Sequence, residues 1–264
     1  ILPHWEAFAE QQKKRRELEL FKIDKISIPT APFFEQKLLP MLKKNDGLMT
    51  LELNNCDLGA DDITAVAKLI KKNKSLSTLD LSGNKINSPD AAKALAKAIK
   101  NHPDLSLVNL SDCKLGGYVG TTIILSSVLD GCKNLKSLLL DSNRIGIGGS
   151  GLDHLERSAE EVTLVTDFIA TNTSVTILSL FGNYIDNAHD ARLSKALKKN
   201  DKIRQLSLGS NGIALPKLLF GSKRVTENLT HLDLCFNNIR TPGAKLIAKY
   251  LKGNPPVEDL NLGG

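Results

Sequence analysis

The stretch that decides the fold is 48–58, which reads LMTLELNNCDL. Its central alternation, Leu51-Glu52-Leu53, has the period of two that is typical of a short β-strand with one buried side. Seven further copies of the pattern begin at Leu76, Leu105, Leu135, Val175, Ile203, Leu229 and Val257. The sequence therefore predicts a repeat array rather than a conventional globular domain.

Every complete copy places Asn or Cys three residues after its second strand leucine. A polar side chain at this point can satisfy backbone groups where the strand turns into a loop. The predicted turn ladder consists of Cys56, Asn84, Cys113, Asn143, Asn183, Asn211 and Asn237.

A helical stretch follows each turn. Small and aliphatic residues recur there at spacings of three and four, as in Ala92, Leu95, Ala96 and Ile99, which gives one apolar helical face. Each unit is thus predicted to be strand, turn and helix, with parallel strands on one side, helices on the other and right-handed crossovers. An aliphatic column stands six residues before successive strand starts, at Leu42, Ile70, Ile99, Leu129, Ile169, Leu197 and Leu251.

In these columns, and in the small-residue helices at 59–70, 90–99 and 242–251, the chain resembles the leucine-rich repeat family, specifically its ribonuclease-inhibitor-like class. The resemblance implies an α/β solenoid shaped as a horseshoe, with strands on the concave face and helices on the convex face. It implies protein binding without naming a partner, because members of the family use the same fold to bind nucleases, GTPases, actin and immune ligands.

The N-terminal segment departs from the repeat. Residues 1–22 combine Trp5 and Phe8 with the basic run 13–16, and are predicted to cap the first repeat, which has no neighbour on one side. A basic amphipathic segment leaves open a calmodulin, membrane-surface or nuclear-import role. Residues 23–264 are predicted to form the array: a degenerate first repeat, about seven full repeats and a truncated last strand. Since the chain lacks an initial Met and stops within a strand, we expect a piece of a longer protein.

The four cysteines are expected to be structural. Cys56 and Cys113 occupy the same turn slot two repeats apart, which at ~4.8 Å per strand separates them by ~10 Å, beyond bridging distance. Free thiols are typical of a reducing compartment, so an intracellular, cytoplasmic protein is predicted. No apolar run approaches the ~18 residues of a membrane span. Four sequons are expected to remain unglycosylated: Asn73, Asn109, Asn172 and Asn228.

Lysines dominate the outward helical positions, as at Lys68, Lys97 and Lys249, and the formal net charge is +6. Cations near helix C-termini favour the dipole and improve solubility, so they need no ligand to explain them. Basic nucleic-acid surfaces usually interleave Arg or aromatic residues. No specific nucleic-acid partner is therefore predicted.

Potential catalytic residues are scattered. The sequence contains no HxxxH, CxxC, GxxxxGK[ST] or GxSxG spacing, so no catalytic residue, metal or cofactor is predicted. Ser207, His231 and Asp259 fall on three adjacent predicted strands. An open sheet face excludes no water and offers no oxyanion hole, so we do not predict a triad there.

The partner site is predicted on the concave face of repeats three to five. There aliphatic side chains replace polar ones on the strands, the lysine stripe lapses near Ile123 and Ile124, and the longest repeat carries an insertion at 146–158. Acidic residues flank this apolar centre, which favours a basic protein partner with an apolar anchor. The predicted partner-binding residues are Leu107, Leu139, Ile177, Phe181, Glu52, Asp80, Asp233, Asp259 and His231.

The function predicted from the sequence is a non-catalytic scaffold that binds a protein, because rigid parallel strands reduce the ordering entropy that opposes capture. Two alternatives come from the family resemblance. One is GTPase activation resembling the Ran GTPase-activating proteins, although the acidic tail of that group is absent from this sequence. The other is actin-end capping resembling the tropomodulins.

Overall fold

The computed structural model describes residues 19–25, 39–43, 45–115, 119–146, 154–186, 189–214, 219–220 and 227–264. Within these residues, nine parallel strands form one sheet in chain order. The strands are β1 Leu20–Asp24, β2 Thr50–Asn54, β3 Thr78–Asp80, β4 Leu107–Asn109, β5 Ser137–Leu139, β6 Ile177–Ser179, β7 Gln205–Ser207, β8 His231–Asp233 and β9 Asp259–Asn261. The helices are α1 Leu39–Leu42, α2 Ala60–Lys72, α3 Pro89–Ile99, α4 Val119–Gly131, α5 His154–Thr171, α6 Asp190–Lys199 and α7 Thr241–Leu251.

The strands bury one side chain in two, as the sequence predicts. Leu51 and Leu53 are fully buried, while Glu52 between them is half-buried on the opposite face. Leu51 pairs with Leu79 and Leu79 with Val108, so equivalent slots of successive repeats lie side by side. The predicted α/β solenoid is confirmed, since a slip of one residue would turn every buried leucine to solvent.

The helices pack their predicted apolar faces against the sheet. In α2, Ile63, Val66 and Ile70 are buried at spacings of three and four. Acidic residues occupy its first turn and lysines its last, which complements the helix dipole. In α3, the Ser88 hydroxyl accepts a hydrogen bond from Ala91 N–H at 3.5 Å, and Pro89 holds the first helical position.

Two predicted burial assignments are wrong. Leu251 was placed in the buried column but is 45% exposed, because within the described residues no further helix packs beyond α7. Ile124 is predicted at the shoulder of the outward face beside Ile123, where the lysine stripe lapses, but it is fully buried. The helix α4 turns Ile124, Leu125 and Val128 to the core and leaves Ile123 half-buried at its edge.

Two predicted boundaries also shift. The sheet begins at Leu20, ahead of the boundary expected at residue 23, because 20–24 pair in parallel with β2. The predicted insertion at 146–158 overlaps a helix, because α5 begins at His154 and 154–158 are its first residues. The stretch 147–153 and residues 1–18 of the predicted cap at 1–22 lie outside the described residues.

The cysteines are all buried free thiols. Burial raises the pKa of Cys113 to about 12, and its Sγ donates to the Leu81 carbonyl at 3.2 Å. Asn73 and Asn172, two of the predicted unmodified sequon residues, are buried with their amides hydrogen-bonded. In the part of the chain that is described, none of the helices has the length and apolarity needed to cross a membrane.

Candidate functional site

The concave face presents two rows of side chains that cross the sheet. Strand register sets their order, because equivalent residues of adjacent repeats are paired. The first row is Thr50, Thr78, Leu107, Ser137, Ile177, Gln205, His231 and Asp259. The second row is Glu52, Asp80, Asn109, Leu139, Ser179, Ser207, Asp233 and Asn261.

The predicted aliphatic residues form a cluster rather than a continuous strip. Leu107 and Ile177 lie in the first row with Ser137 paired between them, and Leu139 lies in the second row on the same strand as Ser137. All three aliphatic side chains are half-buried. We call Leu107, Leu139 and Ile177 the central apolar patch.

The predicted acidic residues near the N-terminal end of the face are engaged by neighbouring side chains. Glu52 pairs with Lys22 on β1 at 2.7 Å. Asp80 accepts hydrogen bonds from Asn54 Nδ2 at 3.2 Å and from Asn109 Nδ2 at 2.9 Å. These contacts orient both carboxylates within the sheet, and Lys22 offsets the charge of Glu52.

Asp233, on β8, is held in its ionised form. Its carboxylate accepts from Ser207 Oγ at 2.8 Å and from Cys235 N–H at 3.0 Å. Burial acts to raise its pKa, but hydrogen bonds from Cys235, Ser207 and Asn261 outweigh burial and lower the pKa below the ordinary value. Asp259 is exposed on the neighbouring strand.

Asp141 is a site residue that the sequence analysis missed. It follows β5, and its Oδ1 accepts from Ser179 Oγ at 2.5 Å and from Phe181 N–H at 2.9 Å. Burial raises the pKa of Asp141, and these two hydrogen bonds oppose that rise. The carboxylate therefore fixes the backbone of Phe181, a contact that becomes visible only with the strand register.

The residues considered as a triad do not form a relay. Ser207 pairs across the strands with Asp233, whereas His231 pairs with Gln205 on one side and Asp259 on the other, so Ser207 and His231 lie in different rows. The Ser207 hydroxyl donates to Asp233, and His231 Nδ1 lies 2.9 Å from Thr230 Oγ1. Among the described residues, no group of three His, Cys, Asp or Glu side chains is arranged to hold a metal ion.

A shallow groove of about 220 Å³ lies over strands β6 to β9. It gathers four of the nine predicted partner-binding residues, namely Ile177, His231, Asp233 and Asp259. The other five do not line it: Leu107, Leu139, Phe181, Glu52 and Asp80. Small and polar neighbours form the remaining concave surface of the depression: Ser179, Gln205, Ser207 and Asn261.

The turn ladder connects successive repeats. Asn143 Oδ1 accepts from Cys113 N–H at 3.0 Å and from Leu115 N–H at 3.1 Å, both in the preceding repeat. Its Nδ2 donates to the carbonyls of Leu110 at 2.7 Å and Leu140 at 3.0 Å. Each such amide thereby satisfies backbone groups in two repeats and holds the strand ends of the concave face in register.

A second ladder, at the helix ends, was missed by the sequence analysis. Asn73 Nδ2 donates to the Asn45 carbonyl at 3.3 Å, and a His102 ring nitrogen lies 2.9 Å from the Asn73 carbonyl. Asn200 Nδ2 donates to the Asn172 carbonyl at 3.2 Å. The signal was present in the sequence, because a polar residue or a cysteine stands three residues before the first residue of each of the first six copies: Asn45, Asn73, His102, Cys132, Asn172 and Asn200.

The convex face carries the predicted lysines. Lys68, Lys97 and Lys249 are exposed on the outer helices α2, α3 and α7. A second groove of about 220 Å³ separates α5 from α6, where Arg192 donates to Thr163 Oγ1 at 2.7 Å. This face is basic, while strands β5 to β9 carry no Lys or Arg.

Comparison with known proteins agrees with the repeat architecture. A family model described as Leucine Rich repeat matches residues 72–96 and 227–248. Protein CARMIL from Dictyostelium discoideum is 25% identical over 207 residues, which covers 76% of this chain and 18% of that protein. The ribonuclease inhibitor from Sus scrofa is 24% identical over 179 residues, covering 68% of this chain and 36% of the inhibitor.

A solved structure shares the fold. Internalin C2 from Listeria monocytogenes superposes with a TM-score of 0.50 at 16% identity, covering 92% of this chain and 80% of internalin C2. The chain spans only a minor part of both curated relatives. From the repeat register, the nine-stranded parallel sheet and these matches, the chain has the leucine-rich repeat fold and is similar to the ribonuclease-inhibitor-like class.

Proposed function

We propose that the chain is a non-catalytic protein-binding scaffold whose partner docks on the concave face of the central repeats. The observation that carries this proposal is the central apolar patch, three half-buried aliphatic side chains on a sheet face that is otherwise mainly polar. An apolar cluster bordered by polar groups is the usual composition of a protein-binding centre.

The rigidity of the face supports the same proposal. The turn ladder and the cross-strand contacts of Asp80, Asp141 and Asp233 hold the surface in one arrangement before any partner arrives. Preorganisation of this kind lowers the entropic cost of association. Because strands β5 to β9 carry Asp233 and Asp259 but no Lys or Arg, the partner that fits best is basic with an apolar anchor. The four buried thiols support an intracellular setting.

Charge introduced into the central apolar patch should weaken binding of the partner. The partner is first captured with the purified chain, identified by mass spectrometry and purified. Leu139→Glu and Ile177→Lys should each raise its dissociation constant by about 10-fold or more, roughly 1.4 kcal/mol, because each places a charge in the apolar contact. Isothermal titration calorimetry measures the change.

Lys97→Glu is the matched control, because Lys97 is exposed on the opposite face. It should change the dissociation constant by less than about 2-fold, well under 1 kcal/mol. If Lys97→Glu weakened partner binding strongly while Leu139→Glu did not, with both variants folded, the binding site would be on the helices.

Nucleic acid should bind only weakly. The exposed lysines of the convex face give counterion release without reading of bases. Fluorescence anisotropy with mixed-sequence DNA and RNA should therefore show affinity that falls steeply as salt is raised. Tight binding at physiological salt with a clear sequence preference would refute this expectation.

A further inference from the structure

The backbone of Phe236 lies in the left-handed region, which is unfavourable for a bulky side chain. Its φ is +53° and its side chain is 65% exposed. An L residue in the left-handed region is strained unless it is Gly, Asn or Asp, and a bulky side chain there is rare. The residue before the ladder amide or thiol adopts a positive φ in all seven copies, but elsewhere it is small or polar: Asn55, Gly83, Asp112, Ser142, Gly182 and Ser210.

The ring of Phe236 is placed against a second aromatic ring. Phe181 and Phe236 meet edge to face with centroids 6.4 Å apart. Gly209 lies between their repeats, and a Cβ there would come within 2.6 Å of Phe181 Cδ2 and 2.9 Å of Cys235 Sγ. The absence of a side chain at Gly209 therefore gives Phe181 the room to lean toward Phe236.

This aromatic pair is linked to Asp233 through Cys235. Phe181 Cδ2 and Cys235 Sγ both lie within 3 Å of the point that a Cβ of Gly209 would occupy, and Cys235 N–H donates to the Asp233 carboxylate at 3.0 Å. Phe236 follows Asp233 by three residues, and Asp233 lines the groove together with Asp259. Strands β5 to β9 supply no Lys or Arg to neutralise these carboxylates. An exposed aromatic ring beside an ionised carboxylate matches a guanidinium group, which can stack on the ring by its face and pair with the carboxylate by its edge.

We propose that Phe236, Phe181 and Asp233 form the docking point for an arginine side chain of the protein partner. The inference rests on the proposed function of the concave face and names the chemistry that this part of the face recognises. An Asn or Gly in place of Phe236 would relieve the backbone strain but would supply no ring.

The test uses two small probes and two-dimensional NMR of the deuterated, ¹⁵N-labelled chain. N-acetyl-arginine methylamide should shift the backbone amides of Phe181, Gly209, Asp233 and Phe236 in a saturable manner. N-acetyl-citrulline methylamide, which has the same shape without the charge, should shift them at least threefold less. No saturable shift, or equal shifts with both probes, would overturn the proposal.

Variants separate recognition from folding. Phe236→Asn should lose the arginine-induced shifts yet melt at the same or a higher temperature, because Asn tolerates a positive φ. Asp233→Asn, which keeps the side-chain shape, should also lose them. Tyr184→Asn is the matched control, since Tyr184 is another exposed aromatic with a positive φ. In this variant the arginine-induced shifts should persist. Shifts that survived in Phe236→Asn or Asp233→Asn would refute the docking point.

The test of the arginine site and the test of the proposed function can fail separately. The probes report on Phe236 and Asp233 without any partner, while Leu139→Glu reports on the partner. If the probes give no saturable shift and Leu139→Glu still weakens binding of the partner, only the arginine site is refuted. If the probes succeed and Leu139→Glu has no effect, the central apolar patch is not the partner's site.

Discussion

Replacing Leu138 with Asp should abolish the cooperative unfolding of the array. Leu138 is fully buried, and its side chain lies in the inner stack between Val108 and Leu178 of the adjacent strands. The variant buries a carboxylate with no partner and removes apolar packing, a combined loss of roughly 4 kcal/mol or more. Since each repeat is stabilised only by its neighbours, the loss at β5 should separate the two halves of the solenoid.

Urea denaturation followed by circular dichroism measures this effect, and the next residue provides the control. Leu139 is half-buried on the concave face, so Leu139→Asp should lower the free energy of unfolding by less than about 1 kcal/mol. If Leu138→Asp unfolded like the parent chain, the strand register would be wrong by one residue.

The strand register could be predicted from the sequence because its cause is local to each repeat. Leu51 and Leu79 occupy the same slot, and the alternation of buried and outward residues is visible within three residues. The helix phase of α4 could not be predicted as well. Its sequence, VGTTIILSSVLDG, is apolar or small on nearly all sides, so the burial of Ile124 depends on how the helix rolls against its neighbours.

The predicted site was less complete than the predicted fold, because contacts between repeats decide it. The sequence indicates that Asp80 and Asp233 face outward, but only the paired strands show that Asn109 and Ser207 donate to them. The position of the groove likewise depends on side-chain sizes across four strands. The ring of Phe181 over Gly209 is a consequence of that cross-strand arrangement.

The helix-end ladder was missed for a different reason. Its column is present in the sequence at a constant offset, but it mixes Asn with His102 and Cys132. Burial lowers the pKa of His102, so the neutral ring takes the place of an amide. Residues of different type can thus satisfy the same backbone groups, and a search for one repeated residue type does not find them.

The turn ladder gives the second large effect, in which removal of one side chain disturbs two repeats. Asn143 is fully buried, and Asn143→Ala would leave the N–H groups of Cys113 and Leu115 and the Leu110 carbonyl without their amide partner, while the Leu140 carbonyl keeps Asn183 Nδ2. At ~1 to 3 kcal/mol for each unsatisfied group, reduced by relaxation, the free energy of unfolding should fall by roughly 3 to 5 kcal/mol. The adjacent Ser142 is exposed, and Ser142→Ala serves as the control with an expected change under about 1 kcal/mol.

Asn143→Asp tests whether hydrogen-bond donation, rather than volume, is the role of the side chain. The carboxylate keeps the acceptor for Cys113 and Leu115 but turns its other oxygen toward the carbonyls of Leu110 and Leu140. Burial and those carbonyls both favour the protonated acid, so its folded pKa should lie above the unfolded value near 3.9.

A raised pKa makes the stabilising contribution complete below the unfolded pKa, and that contribution is lost as pH rises through the folded pKa. Relative to the parent at each pH, Asn143→Asp should therefore recover stability between about pH 7 and pH 4, whereas Asn143→Ala should not. Parallel urea titrations measure both differences, and equal pH profiles for the two variants would show that the ladder amide stabilises the array by packing alone.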